Sequence, residues 1–371
     1  MTKKEILRTI SFVLVVCITL FILCDLFEQE NGSNTERSFN TYRNLEEDIV
    51  DAVFIGTSGV SVYWISPLAY DEYGMTVYNL GVDALPAWLY ISMIEEAMAY
   101  QTPELFLLDI RPFTAGDISR DKMDAHARVV LDAMAPLSEN RFKTGLKTMQ
   151  IMHSEYPEAP CFDISYLLSI VKYHPKASDS GYRISHNLGQ RSHKYCGFRL
   201  DSGFSAVVKE QPGSEYDPNA MRDLNVLCEA SLYELLDYIR DRDLQVLFVD
   251  TPKVLGNISG SVNRIAQILE DEGFDFLTHV DPPKDESFPL EIDYETDFFN
   301  RNHVNFYGAE KYTRALATYL DSHYDLPDRR EDPGAEYVWA GIYQRLREDF
   351  EQIKRETEAR GNQVIGDPLE E

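Results

Sequence analysis

The sequence predicts an α/β fold, a doubly wound parallel sheet of about five strands with a long insertion, preceded by one N-terminal transmembrane helix. Three observations predict it. Short apolar runs alternate with amphipathic stretches between residues 49 and 330. Each run is bounded by turn residues or helical stretches, as strands buried on both faces are. Ahead of them, a charge-free run close to the N-terminus is long enough to cross a bilayer.

That first run begins after Lys3, Lys4 and Arg8 and extends from Thr9 to Cys24, with Leu26 and Phe27 beyond it. From Ile6 to Phe27 it has the length of a membrane helix, with Arg8 snorkelling at one end. Asp25, Glu28 and Glu30 follow it, so the charge bias places the N-terminus in the cytoplasm and the main domain outside the membrane. A cleaved signal peptide is the rival reading. No small-x-small pattern follows the run, and the positions before Cys17 and Cys24 hold Val16 and Leu23, which lipoprotein processing does not favour. The expectation is a single-pass cell-membrane anchor over 1–27.

Residues 28–48 are polar and read as a tether. An α/β domain over 49–330 follows, with strands expected at Asp51–Gly56, Met75–Asn79, Glu104–Asp109, Gln245–Asp250 and Phe274–Thr278. Helices are expected over Pro86–Tyr100, Pro218–Arg242, Val262–Glu272 and Gly308–His323. In the second of these, Leu224, Leu227, Leu232, Leu235 and Ile239 recur at helical spacing. The stretch from about 114 to 216 interrupts the alternation, with one helical piece near Glu139–Ser154. It reads as an insertion over the sheet's carboxyl edge rather than a separate domain. In the last segment, 331–371, Trp339, Ile342, Tyr343, Leu346 and Phe350 predict one amphipathic helix, either packed on the domain or offered to a partner.

Composition limits the function classes. Hydrophobic residues form 44% of the 371-residue chain and aromatics 12%, enough for a real core. A net charge of −27 repels phosphate backbones, so no nucleic-acid partner is expected. Of the five cysteines, Cys17 and Cys24 fall in the span. Cys161, Cys196 and Cys228 leave a Cys161–Cys196 disulfide open, and their spacing shows no metal pattern. No metal or cofactor is expected.

Three motifs carry chemistry. Gly56-Thr57-Ser58-Gly59 puts a serine directly after a buried strand, at the edge where open α/β sheets bind ligands. Alone it is more often an ordinary turn with a helix N-cap. Asn79-Leu80-Gly81 ends the second strand with a glycine whose N–H a ligand can approach. Near the end, Asp297 precedes Asn300-Arg301-Asn302-His303-Val304-Asn305, a polar loop ahead of a helix with a histidine placed to act as general base.

The order and spacing of these motifs resemble the SGNH/GDSL hydrolases over roughly residues 50–323. The resemblance implies an SGNH/flavodoxin-like sheet and a catalytic pair of Ser58, the nucleophile, and His303, its base. It also implies an oxyanion hole from the N–H groups of Ser58 and Gly81. Two departures stand out. The family's acid, three residues before the histidine, is Asn300 here, and Asp297 is a distant substitute. The family's Gly-x-Asn-Asp block is missing, and the third strand ends instead in Asp109-Ile110-Arg111, where Arg111 either binds an anionic group or pairs with an acid. Asn79 and Asp297 join Arg111 as candidate substrate contacts.

Topology and resemblance together imply a serine-dependent O-acyltransferase or acylesterase acting on a cell-envelope glycan. An acyl donor and a membrane-bound acyltransferase would be its partners. The alternative is a catalytically degenerate SGNH-like domain that binds glycan or a membrane partner. In that reading Tyr166, Tyr173, Tyr182, Tyr195, Phe198 and Phe204 line a sugar-binding face or form a small core.

Overall fold

The computed structural model describes residues 2–27, 34–136, 138–175, 193–200, 216–253, 258–279, 288–294 and 296–359. The chain forms two compact units, one of residues 1–40 with 118–192 and one of residues 41–117 with 193–371.

The second unit holds the sheet. Strands β1 (Ala52–Gly56), β2 (Val77–Gly81), β3 (Leu105–Asp109), β4 (Val246–Val249) and β5 (Phe276–Leu277) lie in the order β2-β1-β3-β4-β5, and every pair is parallel. All five expected strands are present. Alternate side chains serve the two faces, as a strand's period of two requires. Ala52, Phe54, Val77, Leu105, Leu107, Leu247 and Val249 belong to one core layer. That layer also takes Val60 and Val62 of α3 (Ser58–Tyr63), Leu68 of α4 (Ser66–Tyr73), and Tyr312 and Leu316 of a later helix, Phe306–His323. Val53, Ile55, Phe106, Leu108 and Phe248 are equally buried on the opposite face, where α5 (Tyr90–Met98) contacts β1 and the helix Val226–Asp241 contacts α5. Helices on both faces explain why each strand reads as a continuous apolar run.

Strand order reverses between β1 and β3, so the residues just beyond their carboxyl ends line a topological switch point, where ligands of such sheets bind. Close packing holds this edge. A Cβ on Gly56 would stand 2.4 Å from Asp109 Cβ and 2.7 Å from Val60 Cγ2, so only glycine fits where β1 passes β3 and α3.

In the first unit, α1 (Lys3–Leu26) is long and apolar enough to cross a membrane. With it pack α6 (Arg120–Ala133), α7 (Glu139–Glu155) and α8 (Ser169–Tyr173): α6 contacts α7, α8 contacts α1, and Ser169 Oγ donates to the Cys24 carbonyl at 2.7 Å. The expected insertion thus differs from its reading as part of the sheet domain, since 118–175 belongs to a separate unit with α1.

Other expectations are corrected. Part of the expected tether is helix α2 (Asn34–Arg43), whose Thr35, Ser38, Phe39 and Tyr42 are buried at i, i+3, i+4 and i+7. Helix α9 runs Val226–Asp241 and not from Pro218, because Asn225 Oδ1 accepts from Leu227 N and Cys228 N at 2.9 and 3.3 Å and fixes the start there. Helix α10 (Ser259–Glu272) starts three residues early, and α11 (Phe306–His323) two. The tail forms two helices, α12 (Pro333–Trp339) and α13 (Ile342–Ala359), broken where Gly341 takes φ +67°. Trp339, Leu346 and Phe350 are buried, and the Phe350 and Phe306 rings stack at 4.2 Å, so the tail belongs to the domain and is not a partner helix. Among the described residues Cys161 and Cys196 are not joined in the disulfide left open above, and Cys228 Sγ donates to the Pro112 carbonyl at 3.6 Å.

Gly56→Ala is expected to cost about 1–3 kcal/mol, the overpacking penalty in a filled core. Urea unfolding followed by circular dichroism checks it, with a midpoint equal to wild type as the contrary result.

Candidate active site at the carboxyl edge

Thr57 caps α3 and is held from two sides. Its hydroxyl donates to Asp109 Oδ2 at 2.9 Å and accepts from Gly59 N at 3.4 Å. Asp109, fully buried, also accepts from Thr251 Oγ1 and Arg111 N, each at 3.2 Å. This carboxylate therefore ties the ends of β1, β3 and β4 together. Ser58 follows Thr57 as the first residue of α3, where a backbone N–H has no intrahelical acceptor.

From the far end of the sequence, the loop before α11 brings His303. Asn305 caps that helix by accepting from Gly308 N at 3.0 Å, and its Nδ2 donates to the Thr296 carbonyl at 2.7 Å. Phe298 and Val304 form a short antiparallel bridge. A Cβ on Gly308 would meet the Asp297 carbonyl at 2.3 Å, so the loop closes only over glycine.

The result is a direct contact, Ser58 Oγ to His303 Nε2 at 2.8 Å. Behind the ring, Asn300 Oδ1 lies 3.1 Å from His303 Nδ1 and accepts from the N–H groups of Asn302 and His303 at 2.8 and 3.0 Å. An amide oxygen can only accept, so the Nδ1 that faces it is assigned the proton. Nε2 is then the acceptor and the Ser58 hydroxyl the donor, the orientation a general base needs.

His303 is buried, and burial pulls its pKa down to about 3, helped by the positive charges of Arg111 and Arg199. No carboxylate at position 300 opposes them, since an asparagine orients an imidazole without stabilising its cation.

The remaining expected residues separate into near and far. Gly81 lies against the same turn, where a Cβ would stand 2.2 Å from Ser61 Oγ and 3.1 Å from the Thr57 carbonyl. Asn79 is buried, and its Nδ2 donates to the Val60 and Trp64 carbonyls at 3.3 and 2.7 Å. It fastens α3 to β2. Asp297 is also buried, and its Oδ2 takes Lys311 Nζ and Asp293 N, each at 2.7 Å. It stiffens the histidine loop and does not replace the missing acid.

Arg111 takes neither of its two readings fully. Among the described residues no carboxylate lies within salt-bridge distance of its guanidinium. NH1 donates to the Asn302 carbonyl at 2.9 Å, and NH2 to the Pro252 carbonyl at 2.8 Å and the Tyr63 hydroxyl at 3.1 Å. NH1 would also stand 2.9 Å from a Cβ on Gly59, which places this cation beside Ser58. The guanidinium pins the histidine loop to the ends of β3 and β4.

Of the aromatics read as a sugar-binding face, Tyr166 and Tyr173 are buried, with hydroxyls on Asp124 at 2.6 Å and Asp132 at 2.8 Å. Tyr195 bonds Asp349, and Phe198 packs edge-on against Phe306. These four are core residues; Tyr182 and Phe204 lie outside the described residues.

Sequence reasoning missed a second polar group at this edge. Asp250 follows β4 and His279 follows β5; Asp250 Oδ2 lies 3.5 Å from His279 Nδ1, and Tyr294 Oη lies 3.3 Å from His279 Nε2. Burial raises the Asp250 pKa and lowers that of Lys253. The signal that finds them is the one that found Ser58, a polar residue immediately after a buried strand. Among the described residues no group of His, Cys, Asp and Glu has the arrangement of a metal site. No family model, no curated protein and no solved structure matches this chain.

The depressed pKa sets a pH signature. A surface histidine titrates near ~6.5, whereas the His303 ring is expected to stay neutral until pH approaches about 3. The unfolded chain takes up this proton first, so stability falls as pH drops from roughly 6.5 toward the folded value. Imidazole NMR resonances check it, and a His303 signal titrating at the ordinary value would contradict the burial argument. Asn300→Asp is expected to move the titration upward.

Proposed function

We propose that this chain is a membrane-anchored SGNH-like serine acyl-transfer enzyme, an O-acyltransferase or acylesterase acting on a cell-envelope glycan outside the membrane. The observation that carries the proposal is the 2.8 Å contact between Ser58 Oγ and His303 Nε2, made by residues from opposite ends of the sheet domain. The strand order with this pair at its switch point supports the SGNH likeness. The span Lys3–Cys24, with Lys3, Lys4 and Arg8 at its N-terminal end, supports the outward orientation.

In this reading His303 Nε2 takes the Ser58 proton as Oγ attacks the acyl carbonyl. The tetrahedral oxyanion is received by the Ser58 N–H, with Gly81 as the second donor that the family resemblance implies. His303 then returns the proton to the leaving alcohol, and an acyl-serine remains. Water as acceptor releases a carboxylic acid, and a sugar hydroxyl gives the acylated glycan. The imidazolium of the attack step forms together with a neighbouring oxyanion, so the pair that develops is neutral overall. This offsets the two arginines that disfavour the cation in the resting site.

A second reading is favoured by one specific observation, Asn300 where the family holds its acid, with His303 held strongly neutral. It describes a degenerate domain that binds a glycan, or a membrane-bound acyltransferase, without turnover.

Cleavage of p-nitrophenyl acetate by the full-length chain in detergent micelles separates the two. Ser58→Ala and His303→Ala are each expected to lower the rate by roughly a thousandfold or more, as loss of either partner does in such pairs. Turnover retained in Ser58→Ala would exclude the acyl-serine mechanism. Glycan binding unchanged in that variant, with no cleavage by wild type, would favour the binding domain.

A further inference from the structure

Outside α1, the exposed large apolar side chains among the described residues of the first compact unit lie on two neighbouring segments. Phe142 and Leu146 stand one turn apart on α7, and Phe142 is 52% exposed. Phe162, 58% exposed, and Ile164 open the segment that continues through a 3-10 turn (Ile164–Tyr166) into α8, where Val171 is exposed in turn. The segments adjoin. A Cβ on Gly145 would meet Leu167 Cδ2 at 2.7 Å and the Tyr166 carbonyl at 3.1 Å, and Asp163 N points to Met149 Sδ at 3.4 Å. The 3-10 turn contacts both α7 and α8. Exposed apolar side chains gathered on adjoining segments mark a contact with a membrane or a partner.

What covers it follows from α1. Helix α8 packs on α1, and Ser169 Oγ bonds the Cys24 carbonyl, the last residue of the apolar span. Wherever that span ends in a bilayer, the exposed side chains of 162–171 stand beside the same boundary. Lys143, Lys147 and Lys172 are sequence neighbours of these side chains, Lys143 pairing with Glu139 at 2.7 Å and Lys172 with Asp124 at 3.2 Å, and cations flank the apolar face on helices that lie in the headgroup layer. We propose that α7, the 3-10 turn and α8 lie on the outer leaflet of the bilayer that α1 crosses, with Phe142, Leu146, Phe162, Ile164 and Val171 at the boundary between headgroups and acyl chains. This rests on the anchor reading given under Proposed function, and is independent of the serine chemistry. The first unit is then a membrane-lying platform as well as a tether.

The test uses the full-length chain carrying Phe162→Trp, reconstituted in phosphatidylcholine vesicles. Alkaline carbonate extraction runs in parallel. Position 162 is exposed, so tryptophan is accommodated. With the patch ~5–10 Å into the boundary, lipids brominated near the headgroup end of the acyl chains are expected to quench the added emission by about half, and aqueous iodide much less. Iodide quenching without bromolipid quenching, in protein that resists extraction, overturns the platform and leaves the anchor standing. Protection from both quenchers means a protein surface covers the patch, which also overturns it. Extraction of the chain by carbonate removes the anchor reading itself, and the platform with it.

Discussion

The buried carboxylate of Asp109 fixes where everything at the carboxyl edge stands. It sits at the end of the central β3 strand and accepts hydrogen bonds from Thr57, Thr251 and the Arg111 backbone. Thr57 in turn fixes the first turn of α3, and so the position of the Ser58 hydroxyl. Arg111, held in its own turn, reaches the carbonyls of Pro252 and Asn302 and draws in the histidine loop. A carboxylate removed from water is costly unless it is fully hydrogen-bonded, so these contacts are obligatory for folding as well as useful for the site. The absence of Cβ atoms at Gly56 and Gly59 lets the strand end, the carboxylate and the guanidinium crowd together.

The histidine loop is built by the same means. Asn305 caps α11, Asp297 pairs with Lys311, and Asn300 gathers two backbone N–H groups before it meets the imidazole. Asn300, Asn305 and Gly308 thus each have a local structural task besides any chemical one. Asn300 serves both, since the oxygen that closes the turn also sets the tautomer of His303. A carboxylate there would do the same and add a charge. Its replacement by an amide keeps the geometry and removes the electrostatic support.

Much of this was legible in the sequence because burial on both faces leaves a plain mark. Five uninterrupted apolar runs gave the five strands, and the residues immediately after them gave Ser58 and Arg111. His303 was legible through the polar loop and the helix that follows it. Residues whose marks are ambiguous were less legible. Asn79 carries the same polar side chain whether it meets a ligand or fastens a helix, and only its contacts with Val60 and Trp64 show the fastening. Helix α2 hid because two of its buried positions, Thr35 and Ser38, are polar and break the apolar periodicity. The short helices α3 and α4 escaped a periodicity that needs longer windows. Asp250 and His279 follow buried strands as Ser58 does, but no surrounding motif joined them, and it is the parallel register that places their strand ends together.

Ser58 and His303 are separated by 245 positions. A polypeptide made from its N-terminus presents Ser58 first, as an ordinary alcohol at the head of a short helix. The base that would activate it arrives only after β4, β5 and the loop before α11 have been synthesised and have docked on the sheet. Contacts this far apart in sequence form late, because the closure entropy of the intervening chain must be overcome. A fragment ending before that loop holds Ser58 without the imidazole that it meets in the folded chain.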